Sequence, residues 1–298
     1  MGYNLYTLWL LTYSDLKTTV YPTVVFGVFS SLSGPVLTTN VSSIKCVTFS
    51  QVMKVALWTW VHTLFVDIQN QVQPGAAEED KINKSWRPIP AGRLTKFQMN
   101  CFLSAMYLMI PMVGLCSDTS PQSLGLMVLG FIYNDLRGAD NNFVVRNLLN
   151  ALGISCLCSG ATTLALTGSQ GSLTAMAHTW FLLISTVIFT TVQVQDMADQ
   201  AGDHLRQRRT LPLVFGDGPA RWTIAIPVAF WSFLCPRFLH MGAFGFLTPL
   251  LVGGNVIFRT LTVRSVEGDK HTYRVYNLWM VILFLLPFLK CLGDVQRG

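Results

Sequence analysis

The 298-residue chain is 51% hydrophobic, 12% aromatic and only 12% charged, with a net charge of +6 and a mean hydropathy of +0.44. Soluble proteins carry about one quarter Asp, Glu, Lys and Arg. Half that share excludes an ordinary cytosolic enzyme, a disordered chain and a disulfide-built secreted scaffold, and leaves a membrane protein.

A bilayer-spanning helix takes about 17–25 mostly apolar residues. Nine segments approach or meet that length: 19–38, 49–68, 97–115, 122–136, 148–166, 175–194, 220–234, 238–258 and 275–292. The fourth and seventh are short, and Pro236 closely follows the seventh. With no long polar insertion, repeat or low-complexity tract, the expectation is an all-α membrane protein, a single nine-helix transmembrane domain over residues 1–298. Nine spans that start on the cytosolic side put 16 of the 21 basic residues in cytosolic segments; Lys45, Lys54, Arg237, Lys290 and Arg297 are the others. That bias is the positive-inside pattern, so the net charge reads as an orientation signal and needs no nucleic-acid partner. Asn40-Val41-Ser42 is a glycosylation sequon in the first lumenal loop. The seven cysteines form no CxxC pair and read as small core residues.

The acids are the informative charges, because they contribute little to orientation. Thirteen of the 15 sit at the cytosolic face, and two clusters stand out among them. One follows the second span: Asp67 to Asn70 and Gln71, then Glu78, Glu79 and Asp80, then Asn83, Lys84, Arg87 and Arg93. The other leaves the sixth span: Asp196, Asp199 and Asp203, then Arg206, Arg208 and Arg209. Positions 196, 199 and 203 are i, i+3 and i+7, one stripe of a helix. Three carboxylates on one stripe repel, which calls for a cation, and magnesium prefers one or two carboxylates plus phosphate oxygens and water. The neighbouring Arg and Lys suit phosphate. Acids and bases interleaved at the mouth of an apolar bundle suggest a metal-bridged diphosphate with its lipid tail pointing inward.

The two clusters resemble the paired Asp-rich motifs of the UbiA superfamily of intramembrane prenyltransferases. The likeness runs from about Ser14 to the ninth span. It is most specific in EEDKINKSWRPIPAGRLT and DMADQAGDHLRQRRTLPLVFGDGPARW, whose wording is nearest the fungal membrane-bound sesquiterpene cyclases. Asp196, Asp199 and Asp203 match the second motif residue for residue. The first motif departs from Asn-Asp-x-x-Asp-x-x-x-Asp: Asp80 matches its last Asp, Ala76 stands at the middle one, and Asn70-Gln71 begins it two residues early.

The resemblance implies Mg²⁺ held by Asn70, Glu79, Asp80, Asp196, Asp199 and Asp203, with those Asp residues catalytic. It implies diphosphate contacts from Lys84, Arg87, Arg206 and Arg209, and from Tyr133 and Arg137, which resemble the family's YxxxK pair. Lys17, just before the first span, could complete the cradle. The implied substrate is a prenyl diphosphate, farnesyl diphosphate by the fungal likeness, and the implied location is the endoplasmic reticulum membrane with the site facing the cytosol.

Breaking an allylic C–O bond leaves a cation that needs a dry cavity with soft negative density. Trp58, Trp60, Tyr21, Phe26, Trp180 and Tyr133 lie in or beside the relevant spans, where packing and lipid contact compete with that role. His62 and His178 are expected to make packing hydrogen bonds. Three outcomes stay open: cyclisation of the cation, which the altered first motif favours; transfer to an aromatic or other acceptor; and a transporter. Transporters place ionisable groups at the bilayer midplane, whereas here they crowd one face, with Lys54 the exception.

Overall fold

In the computed structural model, residues 2–39, 47–168 and 171–296 are described, and their only β pairing is an isolated bridge between Thr38 and Leu173. Helix α1 (Gly2–Asp15) passes through a π-helical turn (Leu16–Val20) into α2 (Tyr21–Ser31). There follow α3 (Phe49–Gln71), α4 (Ala76–Asn83), α5 (Lys96–Cys116), α6 (Ser120–Asn134), α7 (Gly138–Asn141) and α8 (Phe143–Ala165). Then come α9 (Ala175–Thr191), α10 (Asp196–Leu205), α11 (Leu211–Phe215), α12 (Asp217–Phe238), α13 (Ala243–Thr262) and α14 (Val266–Val295).

Helix starts follow local chemistry. Thr48 with Gln51 and Thr95 with Gln98 form reciprocal capping boxes on α3 and α5. Asn142, Thr174 and Ser265 accept first-turn amides of α8, α9 and α14. The long helices pack in a closed circuit in chain order, α2, α3, α5, α6, α8, α9, α12, α13, α14 and back to α2, with α8 also crossing inside against α2 and α3. Five stretches are long and apolar enough to cross a membrane: Lys96–Cys116, Phe143–Ala165, Ala175–Leu205, Ala243–Thr262 and Val266–Val295. Of the other expected spans, α6 has 15 residues, and α3 is a full 23 residues but carries His62, Lys54, Asp67 and several Gln and Thr.

Several expectations change. The seventh segment, expected to end at residue 234, runs on through Pro236 as α12 to Phe238, and the turn comes where His240 takes φ of 50°. A proline removes one backbone bond and need not end a helix. The sixth segment is not one continuous α-helix, since a 3₁₀ turn (Val192–Gln195) separates α9 from α10. Cys101 and Cys116 are exposed on the bundle's outside rather than in its core, whereas Cys158, Cys235 and Cys291 are buried as expected. Asn40, Lys45 and Cys46 lie outside the described residues. His62 does make packing hydrogen bonds, to Trp58 O and Ser123 Oγ at 2.8 Å each. His178 is exposed.

Candidate active site

Four helices each turn an i, i+3, i+4, i+7 stripe toward one cavity of about 230 Å³. On α3 the stripe is Thr63, Val66, Asp67 and Asn70, and on α6 it is Leu126, Leu129, Gly130 and Tyr133. On α8 it begins at Arg146 and continues through Leu149, Asn150, Gly153, Ile154 and Leu157. On α14 it is Tyr273, Tyr276, Asn277, Met280 and Phe284. Asp15, Glu79, Lys84, Arg87, Asp199 and Arg208 complete one end, which is therefore charged, while the other end is apolar.

An arginine network organises the charged end. Arg208 donates through Nη1 to Glu79 Oε1 at 2.7 Å and to Asp203 Oδ1 at 3.1 Å, and through Nε to Asp140 Oδ1 at 3.0 Å. Arg206 donates to Glu79 Oε2 at 3.0 Å and to Asn70 Oδ1 at 3.2 Å. Arg146 reaches from α8 to Asp196 Oδ1 with both Nε (3.2 Å) and Nη2 (2.8 Å), and to the Tyr133 hydroxyl at 3.0 Å. Arg87 pairs with Asp80 at 2.8 Å and lies 3.8 Å from Asp15. All four guanidiniums are buried, and such groups need paired partners.

The two motif segments also touch through backbone. Asn83 Nδ2 donates to Asp199 O at 3.3 Å, and a Cβ at Gly202 would run into the end of the Asn83 side chain, so glycine there leaves room for this bond.

Charge balance follows. Burial raises the Glu79 carboxyl, but Arg208 and Arg206 outweigh it and hold the group below its ordinary value. On Asp80 burial wins over Arg87 and Lys84, and the carboxyl rises. Asp15 is lowered because Lys84 and Arg87 outweigh its burial.

The structure brings most of the expected residues together, but not at equal depth. Asn70, Glu79, Lys84, Arg87, Tyr133 and Asp199 line the cavity. Asp80, Asp196, Asp203 and Arg206 stand one contact behind, each bonded to a lining residue or sharing its partner. Three expected contacts are displaced. Lys17 is exposed and lies over the Tyr13 ring. Arg137 is 61% exposed with a 3.5 Å pair to Asp140. Arg209 is exposed and contributes its backbone N–H to Asp140 O. The aromatic expectation also shifts. Trp58, Trp60, Phe26 and Trp180 are spent on packing, and Tyr21 is 60% exposed. The cavity instead uses Tyr133, Tyr273, Tyr276 and Phe284.

Sequence reasoning missed Arg146, Arg208 and Asp140 as site residues. The first two were counted as bases of cytosolic segments. The signal available for Arg146 was its place at the head of the stripe on α8.

Among the described residues no three acids close into a ready-made metal cluster, because Arg146 and Arg208 already hold Oδ1 of Asp196 and Asp203. Yet Oδ2 of both is buried without a donor, and so is Arg87 Nε without an acceptor. Buried polar atoms are ordinarily satisfied. Spare carboxylate oxygens and a spare guanidinium N–H around one cavity end suit a hard cation together with an anion.

Comparison with known proteins agrees. Residues 70–283 match the model of the UbiA prenyltransferase family. The chain is 26% identical to the fumagillin beta-trans-bergamotene synthase of Aspergillus fumigatus, covering 94% of this chain and 91% of that protein. It is also 26% identical to the somaliensene A/B synthase of Streptomyces somaliensis, covering 92% and 89%. A UbiA homolog from Archaeoglobus fulgidus, solved bound to GPP and Mg²⁺, superposes with a TM-score of 0.62 at 12% identity, over 94% of this chain and 99% of that one.

Proposed function

We propose, from the premise that this chain belongs to the UbiA prenyltransferase family, that it is a membrane-embedded terpene cyclase acting on a prenyl diphosphate, farnesyl diphosphate first among them. The observation that carries this reading is the polarity of the cavity: arginines and spare carboxylate oxygens at one end, a mainly apolar wall at the other. The names of the relatives support cyclisation.

Lys84, Arg87 and Arg208 bind the diphosphate oxygens. Arg146 and Arg206 hold Asp196, Glu79 and Asn70 in place. Asp199, the free oxygens of Asp196 and Asp203, and Asn70 would hold Mg²⁺, which when bound supplies positive charge against the departing diphosphate. Asp80 orients Arg87. The faces of Tyr133, Tyr273, Tyr276 and Phe284 stabilise the allylic cation, each by about 0.5–2 kcal/mol. The apolar wall excludes the water that would capture the cation. The charged end faces the cytosol, and the membrane is that of the endoplasmic reticulum.

Prenyl transfer is the second reading, and one observation favours it: Asn150 lines the cavity with a buried Nδ2 that has no partner, a donor available to a polar acceptor. Detergent-purified protein incubated with farnesyl diphosphate and Mg²⁺, without acceptor, separates the two. A cyclic hydrocarbon by gas chromatography–mass spectrometry supports the cyclase. Folded protein that releases no diphosphate until an aromatic acceptor is added overturns it in favour of transfer.

A further inference from the structure

Two carboxyl groups lining the cavity have no role assigned above: Asp67, which pairs with no arginine among the described residues, and Asp15, which Arg87 reaches only at 3.8 Å. Asp67 lies on α3 three residues before Asn70 and four after Thr63, and all three line the cavity. At 1.5 Å per residue, Asn70 is about 4.5 Å along the axis toward the charged end and Thr63 about 6 Å the other way. The Asp67 carboxyl therefore sits between the diphosphate site and the apolar space that takes the tail.

Asp67 is 7% exposed, and no donor reaches its Oδ2. Its carboxyl shares the cavity with that of Asp15, which comes from the end of α1, and the two interact electrostatically. Two carboxylates sharing a site do not both ionise, so the pair holds one proton and one negative charge. The cations facing it are Arg87, 3.8 Å from Asp15, and Lys84. The Asp15 side chain is 25% exposed, so the pair leads from the buried wall to the surface.

We infer that the Asp15–Asp67 pair is the proton acceptor of the reaction, taking the proton that the carbocation sheds and passing it out through Asp15. The C–H bond beside the cationic carbon breaks, its electron pair becomes the new C=C bond, the proton joins the free Oδ2 of Asp67, and the proton already on Asp67 moves to the Asp15 carboxylate. The monoanionic pair becomes neutral and returns to its starting state by losing one proton to water. This step rests on the cyclase reading and adds its terminating base.

The test uses the full chain in detergent with farnesyl diphosphate and Mg²⁺, reading diphosphate release and hydrocarbon separately. Asp67→Asn is expected to lower hydrocarbon formation by about 10²–10⁴-fold, the usual worth of a positioned base. Diphosphate release continues, and the cation is recovered as a water-captured terpene alcohol. Asp67→Glu restores part of the hydrocarbon, and Asp15→Asn lowers the hydrocarbon-to-diphosphate ratio less severely. Folded Asp67→Asn protein with an unchanged ratio overturns the inference. So does lost diphosphate release that returns when Mg²⁺ is raised, which makes Asp67 a metal ligand. If Asp67→Asn does not fold, the ratio in Asp15→Asn decides, and no change there overturns the inference. Wild-type protein that forms no hydrocarbon overturns the cyclase reading itself before any variant is compared.

Discussion

Arg208 Nη1 donates to Glu79 Oε1 at 2.7 Å, joining the segment after α10 to α4 although 129 positions of chain separate them. The same guanidinium reaches Asp203 and Asp140, so one buried cation orders carboxylates from three elements. Such a group is costly to bury and strongly destabilising to leave unpaired. The two acidic segments thus form one structural unit, and their residues differ mainly in whether an arginine already occupies them.

Asp199 is the exception that separates catalysis from stability. It lines the cavity and forms no ion pair among the described residues, whereas Asp203 is fully buried against Arg208. Asp199→Asn is expected to leave stability within about 0.5 kcal/mol of wild type, while Mg²⁺-dependent diphosphate release falls by at least about 100-fold, a loss of the size that removing a transition-state charge contact brings. Asp203→Asn is expected to lose both activity and about 1–3 kcal/mol of stability. Thermal unfolding in detergent beside a diphosphate-release assay checks both; equal destabilisation by the two variants removes the distinction.

Arg146 tests the network from its other side. Its guanidinium gives two bonds to Asp196 Oδ1, and Arg146→Met leaves that carboxylate buried without a cation. Breaking a buried pair from one side costs about 3–5 kcal/mol. Arg146→Met with Asp196→Asn recovers much of that stability without recovering turnover. A double-mutant cycle measured by unfolding gives the coupling directly, and strict additivity shows the pair to be energetically idle.

Helix existence and the two motifs were legible from the sequence because both are local: a run of apolar residues, or Asp at 196, 199 and 203, needs no knowledge of neighbours. The side chains that complete the site were less legible, because their roles depend on the circuit in which the helices pack. Arg146 in a sequence is one more base near a helix end; only the packing of α8 aims it at Asp196. The aromatic lining failed for the same reason, since Trp58 and Trp180 satisfy every sequence criterion and face the packed core, while Tyr273 and Tyr276 come from the last helix, far from either motif. Asp80 adjoins Glu79, yet the two bond to different arginines, Arg87 and Arg208, which no motif comparison separates.

Arg221 should be structural only. It is 1% exposed, donates to Asp217, Asp269 and the carbonyls of Thr260 and Val263, and lies outside the cavity lining. Arg221→Ala is expected to cost about 3–5 kcal/mol, with the activity of the folded fraction unchanged. The Arg221 hydrogen bonds hold the Asp217 carboxyl below its ordinary value. A lowered carboxyl adds stability that is full above its unfolded pKa and lost as pH falls through the folded one. The gap between wild type and Arg221→Ala therefore narrows in acid below the usual Asp range, which unfolding midpoints across pH check.

Two glycines one heptad apart on α8 make the last prediction, because they share a helix face and differ in what surrounds them. Gly153 lines the cavity, and a Cβ built there meets nothing within 4 Å; at Gly160 a Cβ would run into the Trp58 ring. Gly153→Leu therefore places its side chain in the space assigned to the prenyl tail without disturbing packing. The expected outcome is a preference moved from farnesyl toward geranyl diphosphate in a competition assay, carried by a higher KM for the longer substrate, with Tm held or raised. Gly160→Ala forces Trp58 aside and strains its hydrogen bond to Thr119, at about 1–3 kcal/mol, the usual cost of overpacking. Its chain-length preference stays that of wild type, because Gly160 does not line the cavity. If Gly153→Leu lowers Tm and keeps the farnesyl preference, the tail does not run along this face of α8, and the apolar wall used for the proposed cyclisation has to be sought between other helices.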